Sequence, residues 1–302
     1  MDVTPGRWGV PAEPHETLPS CSVVLTSGGL LVAKITSLDG MLYGMVTYVT
    51  DDGAPRYWGT WTHFLGQTWQ RTLNLPSPLY EPLITARQPS ALVQRLGRIA
   101  RIDPATIVAT MSAQDPVLLA EYAKVLDLLA AWCGVDQGAF GIYGSAMYKA
   151  AGTNRDVDVV VYGKTACRRT HARINGQLPP RGISHPHHLQ FQIPGGAVVL
   201  DPRFIAPHTI TRMLITGDYT DEGTEPIDGL WVIDAADGIF YPSRYTLSDD
   251  SVLLSYRVGH SAWLHPGDVL SGPPLPVYQR DGIRYRMLLG CATLTPHRRE
   301  AK

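Results

Sequence analysis

Cysteine is scarce: Cys21, Cys133, Cys167 and Cys291 stand far apart, with no CxxC and no metal-finger spacing. That excludes a zinc-finger framework or a disulfide-stapled scaffold, and free thiols in a reducing cytosol are the simplest reading. No run of about 18 apolar residues occurs, and the opening MDVTPGRWGVPAEPHET has no apolar signal core. No membrane partner is therefore expected, and the chain reads as cytoplasmic. An excess of one charge is missing too, with 26 Lys and Arg against 27 Asp and Glu, a net charge of −1. A protein whose main affinity is for duplex nucleic acid normally carries a strong basic excess, so that class is disfavoured. Gly-x-Ser-x-Gly is absent, because Met147 follows Ala146, and neither Gly28–Gly29 nor Gly195–Gly196 leads into Gly-Lys-Ser/Thr. These absences exclude the serine-hydrolase elbow and the P-loop.

What is abundant is turn-forming residues: 29 Gly and 24 Pro in 302 residues. That favours many short strands, and the length implies two or three modules. Residues 1–87 read as a β-rich module. Ser22–Ser27 and Leu30–Thr36 flank Gly28–Gly29, and Asp39–Gly40 leads into the apolar strand Met41–Thr50. Residues 88–225 change texture. Ser90–Ile102 and Asp115–Trp132 show helical periodicity, the second with Asp115 as N-cap, Pro116 at the first helical position and Gly134 past the end. Strands are expected at Ala139–Tyr143 and Val157–Tyr162, with a short helical stretch near Ala146–Ala150. A hairpin is expected from Leu189–Ile193 to Ala197–Asp201. Residues 226–302 return to β texture, with strands at Leu230–Asp234 and Val252–Arg257 and a hairpin across Asp281–Gly282. There Ile283, Tyr285 and Met287 alternate with Arg284 and Arg286, as in a half-buried strand. The expected class is α+β: an α/β core of helices on a mixed sheet. Its flanking β-rich segments could pack into one accessory barrel.

The chemistry concentrates in GIYGSAMYKAAGTNRDVDVVVYG, residues 141–163. Asp156 and Asp158 stand two apart at the start of an apolar strand, and period two points both carboxylates to one face. Like charges held a few ångströms apart call for a cation, and Mg²⁺, with Mn²⁺ as the alternative, suits a hard oxygen site. A Gly144–Ser145 turn ahead of a short helix offers N–H groups and a hydroxyl to phosphate oxygens. Asp201, ending an apolar strand that could pair beside the first, is the best third carboxylate. Lys149 and Arg155 are candidate phosphate contacts. The basic stretch Arg168, Arg169, His171, Arg173 and Arg181 leaves room for a phosphate-bearing ligand. His185, His187 and His188 lack paired-ligand spacing and are not read as a zinc site.

Tyr143-Gly144-Ser145, ten residues, then Asp156-Val157-Asp158-Val159 resembles the signature of the DNA polymerase β-like nucleotidyltransferase superfamily. With Val161-Tyr162-Gly163, and with DGMLYGMVTYV (39–49) and SYRVGHSAWLHPGD (255–268), the chain is also similar to a group of predicted nucleotidyltransferases best represented in archaea. The resemblance implies Mg²⁺ at Asp156 and Asp158, nucleotide phosphates at Gly144 and Ser145, and Asp201 helping to activate an acceptor hydroxyl. Gly144-Ser145-Ala146 differs from the commoner forms of the turn but lies within the family's range, and Arg155 replaces the more usual Ser or Thr. The expected activity is transfer of a nucleoside monophosphate from an NTP, ATP among them, to an acceptor hydroxyl or phosphate. The low net charge favours a small-molecule acceptor over RNA. The rival readings are a non-catalytic nucleotide- or nucleic-acid-binding protein that keeps the fold, and a toxin-like enzyme modifying RNA or protein.

Overall fold

The computed structural model describes residues 15–50, 61–64, 67–71, 99–147, 156–175, 190–205, 219–255, 260–288 and 294–298. Nineteen strands and three α-helices lie among these residues. The protein is thus mostly β, which corrects the expected α+β class with its helix-rich nucleotidyltransferase core. Two compact units are formed, Met1–Asp127 with Phe140–Val160, and Leu128–Ala139 with Val161–Lys302.

In the first unit, β1 (Val23–Thr26), β2 (Leu30–Leu38), β3 (Met41–Thr50), β4 (Trp61–Phe64), β5 (Gln67–Arg71), β6 (Ile99–Ile102) and β7 (Ile107–Met111) form one sheet. Its order is β4-β5-β3-β2-β1-β7, with β6 also on β3. Register shifts interrupt the β1–β7 and β2–β3 ladders, and such bulges strengthen twist and curl a sheet. The β2–β3 turn has positive φ at both Asp39 (49°) and Gly40 (71°), the geometry that matches the strands' own twist. Val24, Leu30, Val32, Leu42, Val46 and Ile102 fill the core. Lys34, 1% exposed, is the exception in this interior. Its ammonium donates to the carbonyls of His15, Glu16 and Leu18. Burial pushes its pKa down to about 8, against the opposing pull of the Glu16 charge.

The helical texture resolves differently from expectation. Residues 99–102, expected to be helical, form β6, and 90–98 fall outside the described residues. The long helix is two, α1 (Pro116–Glu121) and α2 (Ala123–Cys133), separated at Tyr122. Asp115 caps α1, accepting from Val117 N at 2.9 Å and Leu118 N at 3.0 Å. Gly134 follows α2 with φ 63°. A helix beyond those expected, α3 (Lys164–Asn175), buries only Cys167, Thr170 and Ile174. So few apolar positions give almost no periodic signal, and the basic residues are its only conspicuous feature in the sequence.

The four-stranded sheet comprises β8 (Phe140–Tyr143), β9 (Asp156–Val161), β10 (Phe191–Gln192) and β11 (Val199–Phe204), in the order β10-β11-β9-β8. β10 and β11 are the expected hairpin, with Phe191 opposite Leu200. In the second unit, β12 (Thr220–Glu225), β13 (Val232–Asp234), β14 (Ser243–Leu247), β15 (Val252–Ser255), β17 (Leu275–Arg280) and β18 (Ile283–Leu288) form a sheet ordered β12-β17-β18-β15-β14-β13. Strands β16 (Asp268–Ser271) and β19 (Thr295–Arg298) pair separately. N- and C-terminal strands share no sheet among the described residues, which replaces the single accessory barrel. The Asp281–Gly282 turn forms as expected, but Ile283 is exposed and Arg286 is 4% exposed, so from Tyr285 onward β18 is buried on both faces rather than half-buried. No helix among the described residues is long and apolar enough to cross a membrane.

Candidate metal centre

β9 reads Asp-Val-Asp-Val-Val-Val, and its alternation decides which side chains meet solvent. Val157, Val159 and Val161 point into apolar packing, while Asp156 and Asp158 are half-buried on the other face. The valine side is covered by α3: the Cys167 thiol donates to the Val161 carbonyl at 3.2 Å, and the His171 ring meets Phe204 edge-on at 5.7 Å. Burial pushes the Cys167 thiol up to about 12, so this cysteine is an inert packing residue.

Asp201 lies on β11, the strand beside β9, and is 5% exposed. Asp156, Asp158 and Asp201 each present one carboxylate oxygen, and these three atoms lie within 4.8 Å of one another. At such distances each like-charged pair repels by about 1 kcal/mol in water and on the order of 3 to 4 kcal/mol near a protein surface. The donor set is all oxygen, with no imidazole or thiolate, which is the chemistry of a hard cation. Ligands at about 2.1 Å from an octahedral ion are roughly 3 Å apart when adjacent and 4 Å when opposite, a spacing with which three oxygens within 4.8 Å of one another are compatible.

Gly144 closes the site from β8. Its φ is +67°, and a Cβ built there would fall 2.0 Å from Asp158 Oδ2 and 2.8 Å from its Cγ. A side chain there would push the Asp158 carboxylate aside, so glycine serves both the left-handed turn and the space the carboxylate occupies. Gly141, on the same strand, plays a related part further down. There an added Cβ would sit 2.7 Å from the Ala113 carbonyl, which accepts from Ile142 N at 2.8 Å. The short 3₁₀ turn Gly144–Met147 contains Ser145, and it is pinned by Ala146 and Met147, both buried. Lys149, Arg155, Arg181 and the three histidines lie outside the described residues. The structure thus groups Asp156, Asp158, Asp201 and the Gly144 turn.

No family model matches the chain, and no curated protein or solved structure does. What this site can do must follow from its own residues.

Gly144→Ala is expected to cost about 1 to 3 kcal/mol through left-handed strain alone. It should also weaken Mn²⁺ binding, because Asp158 must move aside. Chemical denaturation and a Mn²⁺ titration read the two effects separately, and unchanged Mn²⁺ affinity would show that the Gly144–Asp158 contact is incidental.

Proposed function

We propose that this chain is a metal-dependent nucleotidyltransferase, moving a nucleoside monophosphate from an NTP to an acceptor hydroxyl or phosphate and releasing pyrophosphate. The observation that supports this reading most is the convergence of three carboxylates beside a glycine turn. Asp156 and Asp158 would hold Mg²⁺ or Mn²⁺. When bound, the metal neutralises the triphosphate and lowers the pKa of the attacking hydroxyl. The Gly144–Ser145 turn presents backbone N–H groups to phosphate oxygens, and Lys149 and Arg155 are the sequence's further candidates for that contact. Asp201 orients the acceptor hydroxyl and takes its proton as the oxygen attacks the α-phosphorus. The bond from the α-phosphorus to the bridging oxygen breaks, and pyrophosphate leaves with the electron pair.

The test is transfer of label from α-labelled NTPs in the presence of Mg²⁺ or Mn²⁺ and a panel of hydroxyl acceptors. Metal-dependent transfer is expected, with Asp156→Asn lowering it on the order of a hundredfold or more. Full activity in Asp156→Asn would remove the carboxylates from the chemistry. Metal-dependent NTP binding without turnover would instead favour a non-catalytic nucleotide-binding protein.

A further inference from the structure

β11 carries a second charged side chain on the carboxylate face of its sheet. Leu200 and Phe204 are both completely buried, and Phe204 faces α3 through His171. Asp201 and Arg203, two apart, share the opposite face, with their Cα atoms about 6.6 Å apart along the strand. The Arg203 guanidinium carbon lies 5.0 Å from the centroid of the Tyr241 ring. Tyr241 is itself fixed: its N–H donates to the Phe204 carbonyl at 2.7 Å, and it bridges to Ile205. A stacked guanidinium uses its flat face against the ring, while the N–H groups in its plane are the part that grips an oxyanion.

The sheet order supplies a direction. β9 separates the Gly144 turn, at the end of β8, from Asp201 and Arg203 on β11. In the transferase reading, on which this inference rests, donor phosphates lie at the turn and the acceptor arrives over β11. The geometry points to Arg203, backed by Tyr241, as the residue that recognises the acceptor. Three carboxylates repel an anionic substrate, and a neutral acceptor would need no cation here. A cation held beside the third carboxylate selects an acceptor whose reactive hydroxyl lies close to a phosphate ester. A sugar phosphate has this chemistry, and so does the last phosphodiester of an RNA ending in a 3′-hydroxyl.

The experiment measures equilibrium binding to the full chain, with and without Mn²⁺. The probes are Mn²⁺ itself, glycerol, glycerol 3-phosphate and a short RNA with a 3′-hydroxyl. Glycerol 3-phosphate or the RNA should bind and glycerol should not, and the tighter of the two identifies the source of the phosphate. Arg203→Ala should weaken that binding about tenfold or more, with Mn²⁺ affinity kept within about twofold. Arg203→Lys should fall between, because lysine lacks the planar fork, and it carries the test if the alanine variant fails to fold. Arg101→Ala, exposed on β6 of a different sheet, should bind as the wild type does.

The inference is overturned if no phosphorylated probe binds, or if the Arg203 variants bind it unchanged. It is also overturned if they shift Mn²⁺ affinity alone, for then Arg203 merely balances the carboxylates. A wild type that binds no Mn²⁺, yet loses phosphate binding in its Arg203 variants, would sink the transferase reading and leave the anion site standing.

Discussion

Asp158→Asn is expected to make the metal-free protein slightly more stable and to abolish its response to Mn²⁺. The amide keeps the shape of the carboxylate, so the tight seat against Gly144 is preserved. One of three charges within 4.8 Å is removed, which relieves two repulsive pairs. Because Asp158 is half-buried, solvent screens these pairs, and a gain of about 1 kcal/mol is the expected size. In the wild type, Mn²⁺ at a hundredfold excess over its Kd should add about 2.7 kcal/mol of stability. In the variant that increment should vanish, and transfer activity should fall by a factor on the order of a hundred or more. Denaturation curves with and without Mn²⁺ check both halves. A variant that is less stable without metal, yet still stabilised by Mn²⁺, would mean that the three aspartates do not act as one site.

Arg286→Met should produce the largest loss of stability, about 2 to 4 kcal/mol at pH 7. Arg286 is 4% exposed and uses every branch of its guanidinium. Nε donates to Ser251 Oγ at 3.0 Å and Nη1 to the Pro226 carbonyl at 3.1 Å. Nη2 donates to Glu225 Oε2 at 2.9 Å and to Asp249 Oδ2 at 2.6 Å. Methionine fills the volume but strips both carboxylates of their shared cation. The effect also carries a pH signature. Burial pushes the Asp249 carboxyl up, but hydrogen bonds from Ser251 and Arg286 outweigh it and hold the pKa below its ordinary value. A carboxylate with a depressed folded pKa contributes stability above its unfolded pKa, about 3.9, and loses it as pH falls through the folded value. The gap between wild type and Arg286→Met should therefore narrow below about pH 4. Urea unfolding at pH 7 and pH 3 measures it, and a gap of constant size would show that packing, not charge, is what Arg286 contributes.

Local features are legible in the chain itself. Met41–Thr50 matches β3 residue for residue, and Asp39–Gly40 and Asp281–Gly282 turn where their preference for positive φ requires. Asp115, Pro116 and Gly134 mark helix ends through capping chemistry that involves only their neighbours. The departures from expectation share a cause. Residues 99–102 continue a stretch with helical spacing, yet pairing with β3 outweighs that propensity. α3 has too few apolar residues to show itself, and the alternation in 283–287 conceals a buried arginine whose partners lie 35 to 61 residues away. In the site, Asp201-x-Arg203 on a strand is the same period-two signal as Asp156-x-Asp158, and it is the signal by which Arg203 can be found.

By itself the sequence determined that Asp156 and Asp158 share one face beside a glycine turn, because alternation and left-handed φ are properties of consecutive residues. Tertiary structure alone decided that the architecture is mostly β, that Asp201 completes the cluster, and that Asp158 occupies the space a Gly144 side chain would need. These outcomes depend on which strands lie side by side. Strand pairing is settled by packing between residues far apart in the chain, and a local pattern is blind to it.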